Sequence, residues 1–183
     1  MQRITIYTDG SCNSKTGYGG YGVYLVCGDY EQVKHQGYRN TTTSRMEMRA
    51  LLNAIRMVDP EVETEVTVKA DSQFIVKAFK EGWLNKWRTA GFVGVKNYEL
   101  WQTIIRELAV RKKMRFNIEW LAGHQKDLND PDVFGNNVAD ALADYKSFTE
   151  FDLDQTELMN GEHFHSNCVN RLTIGRVDKY EAR

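Results

Sequence analysis

The chain has 183 residues, 42% of them hydrophobic and 27% charged, with a formal net charge of -1. That is enough for one domain with a real core, and the overall charge does not advertise a polyanion partner. No apolar run approaches the roughly 20 residues that a membrane span needs, and a strand that starts within three residues of Met1 argues against a secretory leader. Cys12, Cys27 and Cys168 are odd in number and widely spaced, which argues against a disulfide frame or a zinc site and for reduced thiols in a cytoplasmic protein.

In chain order, residues 3–8 alternate apolar and polar and predict a first strand. Residues 17–26 predict a second, with glycines where the chain must turn or approach closely. The Gly28-Asp29-Tyr30 turn then leads to a third strand over 32–38. A helix is predicted over 44–58, stopped by Asp59-Pro60. A strand over 66–70 and a short helix over 72–80 follow, then an aromatic, glycine-punctuated stretch over 82–94. A long helix over 97–112, a strand over 115–121, a polar loop and a final helix over 136–147 complete the pattern. A meander of strands followed by strands alternating with helices argues a mixed α/β sheet. Beyond it, residues 148–165 carry five acids and no Lys or Arg, and 170–183 are net basic. A strand is expected over 168–174, with a short helix before it.

Three acids sit where folding has no use for them. Asp9 and Asp71 each end a period-2 run and lead into a turn, which places them at strand ends, where ligand sites of open α/β sheets gather. Glu47 falls on the apolar arc of its helix beside Leu51, Ala54 and Val58, with Arg45, Arg49, Asn53 and Arg56 on the other side. An unpaired carboxylate there is costly, so something cationic should meet it, and several converging carboxylates suit a divalent metal. Plainer readings stand beside this one. A strand-terminal Asp also serves as a turn-former or helix N-cap, and a Glu on an apolar face can pair with a buried Arg. Asp140 stacks with Asp144 at i, i+4 as on any solvated helix face, and spacing alone does not choose between them.

The local sequences add to the acids. They are Tyr7-Thr8-Asp9-Gly10-Ser11-Cys12, Gly19-Gly20-Tyr21-Gly22, Thr41-Thr42-Thr43-Ser44-Arg45-Met46-Glu47, Asp71-Ser72-Gln73, Gly123-His124 and Asn137-Val138-Ala139-Asp140-Ala141-Leu142-Ala143. In this order and spacing they resemble type 1 ribonuclease H along residues 3–146. The resemblance implies an α/β ribonuclease H-like fold: a five-stranded mixed sheet of order 3-2-1-4-5 with helices on both faces, over residues 1–147, with 148–183 as a C-terminal extension. It also picks Asp140 over Asp144 as the fourth acid.

The implied activity is endonucleolytic hydrolysis of the RNA strand of RNA–DNA hybrids, leaving 5′-phosphate and 3′-hydroxyl ends. The implied cofactor is Mg²⁺, two ions per site about 3.5–4 Å apart, with Mn²⁺ as a substitute. The expectation is that Asp9 bridges both ions, Asp71 and Glu47 hold the leaving-group side and Asp140 the nucleophile side. His124 matches the family's mobile-loop histidine, and an imidazole can take or give a proton at a scissile phosphate. The span from His124 to Asp140 is several residues longer than is common in the family.

For substrate, Cys12, Ser72 and Gln73 match positions that touch the hybrid near the cut, where the 2′-hydroxyl tells RNA from DNA. Thr43 and Ser44 stand where the family often has two carboxamides, and Lys15 where it often has Asn. Thr42 and Asn97 match a pocket that grips a DNA phosphate, although the usual nearby Arg aligns with Asn40, beside Arg39. Trp101 reads as core. Trp83 and Trp87, interleaved with Lys86 and Arg88, resemble the family's basic handle in a shortened form, in which Phe92-Val93-Gly94-Val95 replaces further lysines.

Charge supports a nucleic-acid partner once it is read locally. Residues 77–115 hold ten basic and three acidic side chains, a net of +7, and residues 124–165 hold ten acids against two lysines, a net of -8. Such segregation is an electrostatic footprint for a polyanion, and the reduced handle predicts weak hybrid binding with a shallow salt slope. The expected partner is the hybrid, with no membrane, a monomeric protein and a partner-binding role open to the extension. The competing classes are a non-catalytic hybrid-binding module, which the acid quartet and His124 argue against, and a metal-dependent DNA nuclease, which would not need the 82–101 handle.

Overall fold

The computed structural model describes residues 1–154. The expected strand over 168–174, the short helix before it, His163 and His165 lie outside them. The elements are β1 (Gln2–Cys12), β2 (Gly19–Cys27), β3 (Tyr30–Arg39), α1 (Thr43–Arg56), β4 (Thr64–Ala70), α2 (Gln73–Lys80), α3 (Trp83–Thr89), α4 (Tyr98–Val110), β5 (Met114–Trp120), α5 (Pro131–Ala143) and β6 (Asp152–Leu153).

They form one sheet in the order β5-β4-β1-β2-β3-β6. The first three strands pair antiparallel, while β4 joins β1 and β5 joins β4 in parallel. The expected order is present, but the sheet has six strands instead of five. The sixth is two residues of the C-terminal extension, which pair with the outer edge of β3 through Tyr38↔Asp152 and Arg39↔Leu153. Nothing in the extension's acidic composition signals a strand, and a two-residue edge strand carries no period to read.

Alternation along β1 sets the two faces. Ile4 and Ile6 point into the main core with Val23, Leu25, Met48, Leu51, Leu52, Ile55, Val66 and Val68. Tyr7 points to the other face, where it meets Tyr24 and Ala139 of α5. α1 begins where the Thr42 side chain accepts from the Arg45 backbone N–H at 3.3 Å, an N-cap that satisfies one otherwise orphaned donor. Arg49 and Asn53, on the polar side of that helix, are buried: α4 packs along the helix, and Asp154 meets Arg49. Trp101 is fully buried, as its spacing suggested.

Several boundaries differ from expectation by a few residues, the aromatic stretch contains the helix α3, and two of the shifts have a visible cause. β1 runs on past Asp9 to Cys12 because β2 continues to pair with it as far as Cys12↔Gly19. α5 starts at Pro131, not near 136, because Asp130 accepts from the Asp132 N–H at 2.8 Å and proline suits the first helical position.

Candidate active site

Asp9 sits inside a paired strand and not at a strand end, yet it still opens onto the sheet's carboxyl edge. The parallel pairing of β1 with β4 stops at Thr8↔Ala70, so Asp9 and Asp71 are the next residues on adjacent strands. The period of two that sends Tyr7 toward α5 sends Asp9 the same way. Directly across from Asp9 on β2 lies Gly22. A Cβ there would stand 2.2 Å from the Ala139 carbonyl oxygen, so only glycine lets α5 settle this close. Asp140, the next residue on α5, thereby reaches Asp9.

Gly10 does the equivalent on the opposite face. A Cβ at this position would lie 2.2 Å from the Glu47 nitrogen and 2.4 Å from the Met46 carbonyl carbon. The bare strand lets the start of α1 approach, and Glu47 arrives half-buried with its carboxylate accepting from the Ser72 hydroxyl at 2.8 Å. Among the described residues, the hydrogen-bond partner of Glu47 is this neutral donor and not the cation that its position predicts.

Electrostatics report how close the four acids are. Burial, then repulsion from Asp71, then a hydrogen bond in which its carboxyl donates to Asp140, push Asp9 up to about 8, against a bond from the Gly10 N–H at 2.7 Å. Glu47 is raised by burial and by Asp71, with Ser72 opposing. Asp71 is raised by burial and by Asp140, with His124 pulling it back. Carboxylates from four separate elements, with His124 beside them, thus share one field. Asp144 does not join them: its side chain caps the short 3-10 turn Tyr145–Ser147 that follows α5, accepting from the Lys146 N–H at 3.0 Å.

Among the described residues, no three His, Cys, Asp or Glu side chains meet closely enough to cage a metal ion by themselves. Mg²⁺ does not require a cage, because it keeps several waters and takes one or two carboxylates plus substrate oxygen. The donor set is anionic and all oxygen, which fits a hard divalent cation, and mutual repulsion of this kind is what such a cation relieves.

His124 is exposed on the loop before α5, in a left-handed conformation at φ 57°. Ser72 caps α2, and Gln73 is exposed on its first turn. Half-buried Cys12 donates its thiol to the Thr41 carbonyl at 3.4 Å, and burial followed by Asp154 raises it above the usual thiol range. Thr42 and Ser44 are exposed at the start of α1, and Asn97 caps α4 at φ 55°. Lys86 and Arg88 are exposed, whereas Trp83 and Trp87 stack among Phe74 and Trp101 and are partly inside. The handle is therefore a basic surface on an aromatic base. Part of the basic charge counted over residues 77–115 is already matched, since Arg111 donates to Glu107 at 2.6 Å.

Several residues escaped the sequence reading. The Trp120 indole donates to the Asp71 backbone oxygen at 3.0 Å, steadying the residue that carries the acid. The Tyr7 hydroxyl donates to Asp132 at 2.9 Å, Lys69 also donates to Asp132, and together they pin the first turn of α5. Asp154 joins Thr41, Arg45 and Arg49. A single acid in an acidic tail gave no signal of that.

Residues 1–147 match the protein family described as RNase H. The ribonuclease H of Bordetella pertussis is 37% identical over 147 residues, covering 78% of this chain and 87% of that protein. That of Cupriavidus necator is 38% identical over 147 residues, covering 78% and 94%. The ribonuclease H of Chromohalobacter salexigens is 34% identical over 166 residues, covering 88% and 94%. Among solved structures, LC9-RNase H1, a type 1 RNase H with the type 2 active-site motif, superposes with a TM-score of 0.65 at 23% identity, covering 78% of this chain and 71% of that one. That last likeness is one of fold.

Proposed function

Because the chain belongs to the ribonuclease H family, we propose that it is an endonuclease that hydrolyses the RNA strand of RNA–DNA hybrids, leaving 5′-phosphate and 3′-hydroxyl ends. The observation that carries the reading is the shared field of Asp9, Glu47, Asp71 and Asp140, which arrive from four elements at the carboxyl edge of the sheet. Burying repelling carboxylates costs stability, and a fold retains such an arrangement only where it is used.

Enzymes of this family depend on divalent metal. The four acids would hold two Mg²⁺ ions, with Mn²⁺ as a substitute, and such ions supply charge neutralisation and an activated water. The chain's own groups do the rest. Ser72 holds Glu47 in place, and Trp120 steadies Asp71. His124, exposed beside Asp71, would exchange a proton with the leaving or attacking oxygen. Cys12, Ser72 and Gln73 flank the acids and would read the 2′-hydroxyls. Thr42, Ser44 and Asn97 would meet the DNA strand on one side, and Trp83, Lys86, Trp87 and Arg88 on the other.

The test is incubation of the full chain with matched RNA–DNA, RNA–RNA and DNA–DNA duplexes, with Mg²⁺ and with chelator. Cleavage confined to the RNA strand of the hybrid, and only with metal, is the expected result. Cutting of DNA–DNA would favour the DNA-nuclease reading, and hybrid binding without cutting would favour the binding module; either would overturn the proposal.

A further inference from the structure

Among the described residues, the most connected polar group outside the acid cleft is Asp154, which lies beyond the 1–147 match. Its side chain is fully buried. One oxygen accepts from Arg49 Nε and Nη2 at 3.0 and 2.7 Å and from Arg45 Nη2 at 3.0 Å. The other accepts from the Thr41 hydroxyl at 2.5 Å and from Arg45 Nε at 2.6 Å. Its backbone N–H donates to the Arg39 oxygen at 3.0 Å, which continues the register of β6 on β3. A carboxylate taken out of water persists only with such donors.

Arg45 continues the chain of contacts. Its Nη1 donates to Asn97 Oδ1 at 3.2 Å and to Glu99 Oε1 at 2.5 Å. A guanidinium has no acceptor, so Asn97 must turn its oxygen toward Arg45, and its amide nitrogen is committed to the other side. Two carboxylates, Asp154 and Glu99, already match the charge of Arg45, so the cation nearest the paired helix starts is occupied. The neutral donors that these contacts leave for a phosphate are the Thr42 hydroxyl, the Asn97 amide and the first backbone N–H groups of α1.

We infer that Asp154 is a positioning residue for substrate: it fixes the Arg45 fork, and through it the Asn97 amide, so that the start of α1 and the start of α4 present one set of neutral donors to a DNA-strand phosphate. This rests on the reading that the Thr42 and Asn97 side takes the DNA strand. The C-terminal extension thereby completes the substrate site. It does so from a part of the chain that holds none of the proposed catalytic acids.

The test uses the full chain and reads hybrid affinity in chelator by fluorescence anisotropy, and KM and kcat with Mg²⁺, well below the melting temperature. Losing the orientation of one such hydrogen bond should weaken binding about fivefold. Asp154→Asn should therefore raise Kd and KM by about that factor, with kcat within about twofold of the parent. In an Asn97→Ala background the same substitution should add almost nothing, because the two act through one contact. Asp154→Glu should recover part of the affinity. Should Asp154→Asn fail to fold, Arg45→Lys takes its place, since a lysine cannot bridge Asp154 and Asn97 at once. Unchanged Kd and KM despite a lowered melting temperature would overturn the inference, as would effects that multiply with Asn97→Ala. Failure of the parent chain to cut hybrids would sink the proposed activity while the binding measurement still decides this one.

Discussion

Gly123 offers a way to move one acid while leaving the fold alone. A Cβ built there stands 2.7 Å from Asp71 Oδ2 and 3.5 Å from its Cβ and Cγ, against an ordinary contact that starts at 3.4 Å. The carboxylate must therefore give way by about 0.7 Å, and it can, because it is the far end of a side chain. Pushing Asp71 off its rotamer costs roughly 0.5–1.5 kcal/mol. Gly123 is not among the positive-φ glycines, so alanine suits its backbone and returns about 0.4–1 kcal/mol by narrowing the unfolded ensemble. The two nearly cancel, and melting should shift by no more than about 2–4 °C. Catalysis is less forgiving, since a misplacement of about 1 Å can cost roughly 100-fold. Gly123→Ala should thus lower kcat by roughly tenfold to a hundredfold at nearly constant Tm, measured at saturating hybrid alongside thermal melting. A kcat within twofold of the parent would refute the argument, for it would mean that Asp71 does not need its observed place. A collapsed melting temperature would show instead that the backbone around Gly123 cannot yield.

Asp9→Asn keeps the shape of the side chain but cannot ionise to meet a cation, so Mg²⁺-dependent cleavage should vanish, while in chelator the variant melts near the parent temperature at pH 7 and above it once pH passes about 8, where the parent must charge a buried, repelled carboxyl; retained turnover would refute the assignment. His124 is exposed and touches the acids only through their field, so His124→Ala should reduce turnover by roughly 10²–10⁴-fold, the usual worth of a general acid or base, without changing Tm, and unaltered rates would remove it from the mechanism. For Asp154, burial works to raise the carboxyl, but Arg45, Arg49 and Thr41 outweigh it and hold it below the usual range, and the same charge lifts Cys12. A depressed folded pKa gives stability that is present above the unfolded value of about 3.9 and lost as pH falls through the folded one. Breaking a buried pair costs about 3 kcal/mol or more, so Asp154→Asn should melt roughly 6–12 °C below the parent near pH 7, with the gap starting to narrow as pH falls below about 4 and closing as the folded carboxyl itself protonates; a gap that does not narrow in acid would sink the ion-pair account.

Much of the sheet was legible because its strands announce themselves by period. Ile4 and Ile6 against Tyr7 is an alternation that any reading of the run finds, and the Gly28 turn, at φ 60°, closes the next hairpin. Glu47 was legible as an acid on the wrong side of an amphipathic helix. What stayed hidden depends on contacts between distant residues. Whether β1 stops at Asp9 or continues to Cys12 is decided by how far β2 accompanies it, which a single strand does not encode. The start of α5 was misplaced by five residues because Asp130-Pro131 reads equally as loop punctuation or as cap and first turn.

Parity along β1 explains how one short segment serves two helices. Asp9 must face α5 to meet Asp140, and the residue after it then faces α1. Any side chain at that next position would hold α1 away, as the 2.2 Å approach to the Glu47 nitrogen shows. Glycine at position 10 is therefore a consequence of placing an acid at 9, and Gly22, opposite Asp9 on β2, is the same consequence for α5. The pair Asp9-Gly10 with a glycine across the ladder is one device: it brings carboxylates from both faces of a sheet to a single edge. Asp140, which by spacing could not be told from Asp144, is then chosen by the sheet, because it follows Ala139, the residue whose carbonyl rests on Gly22.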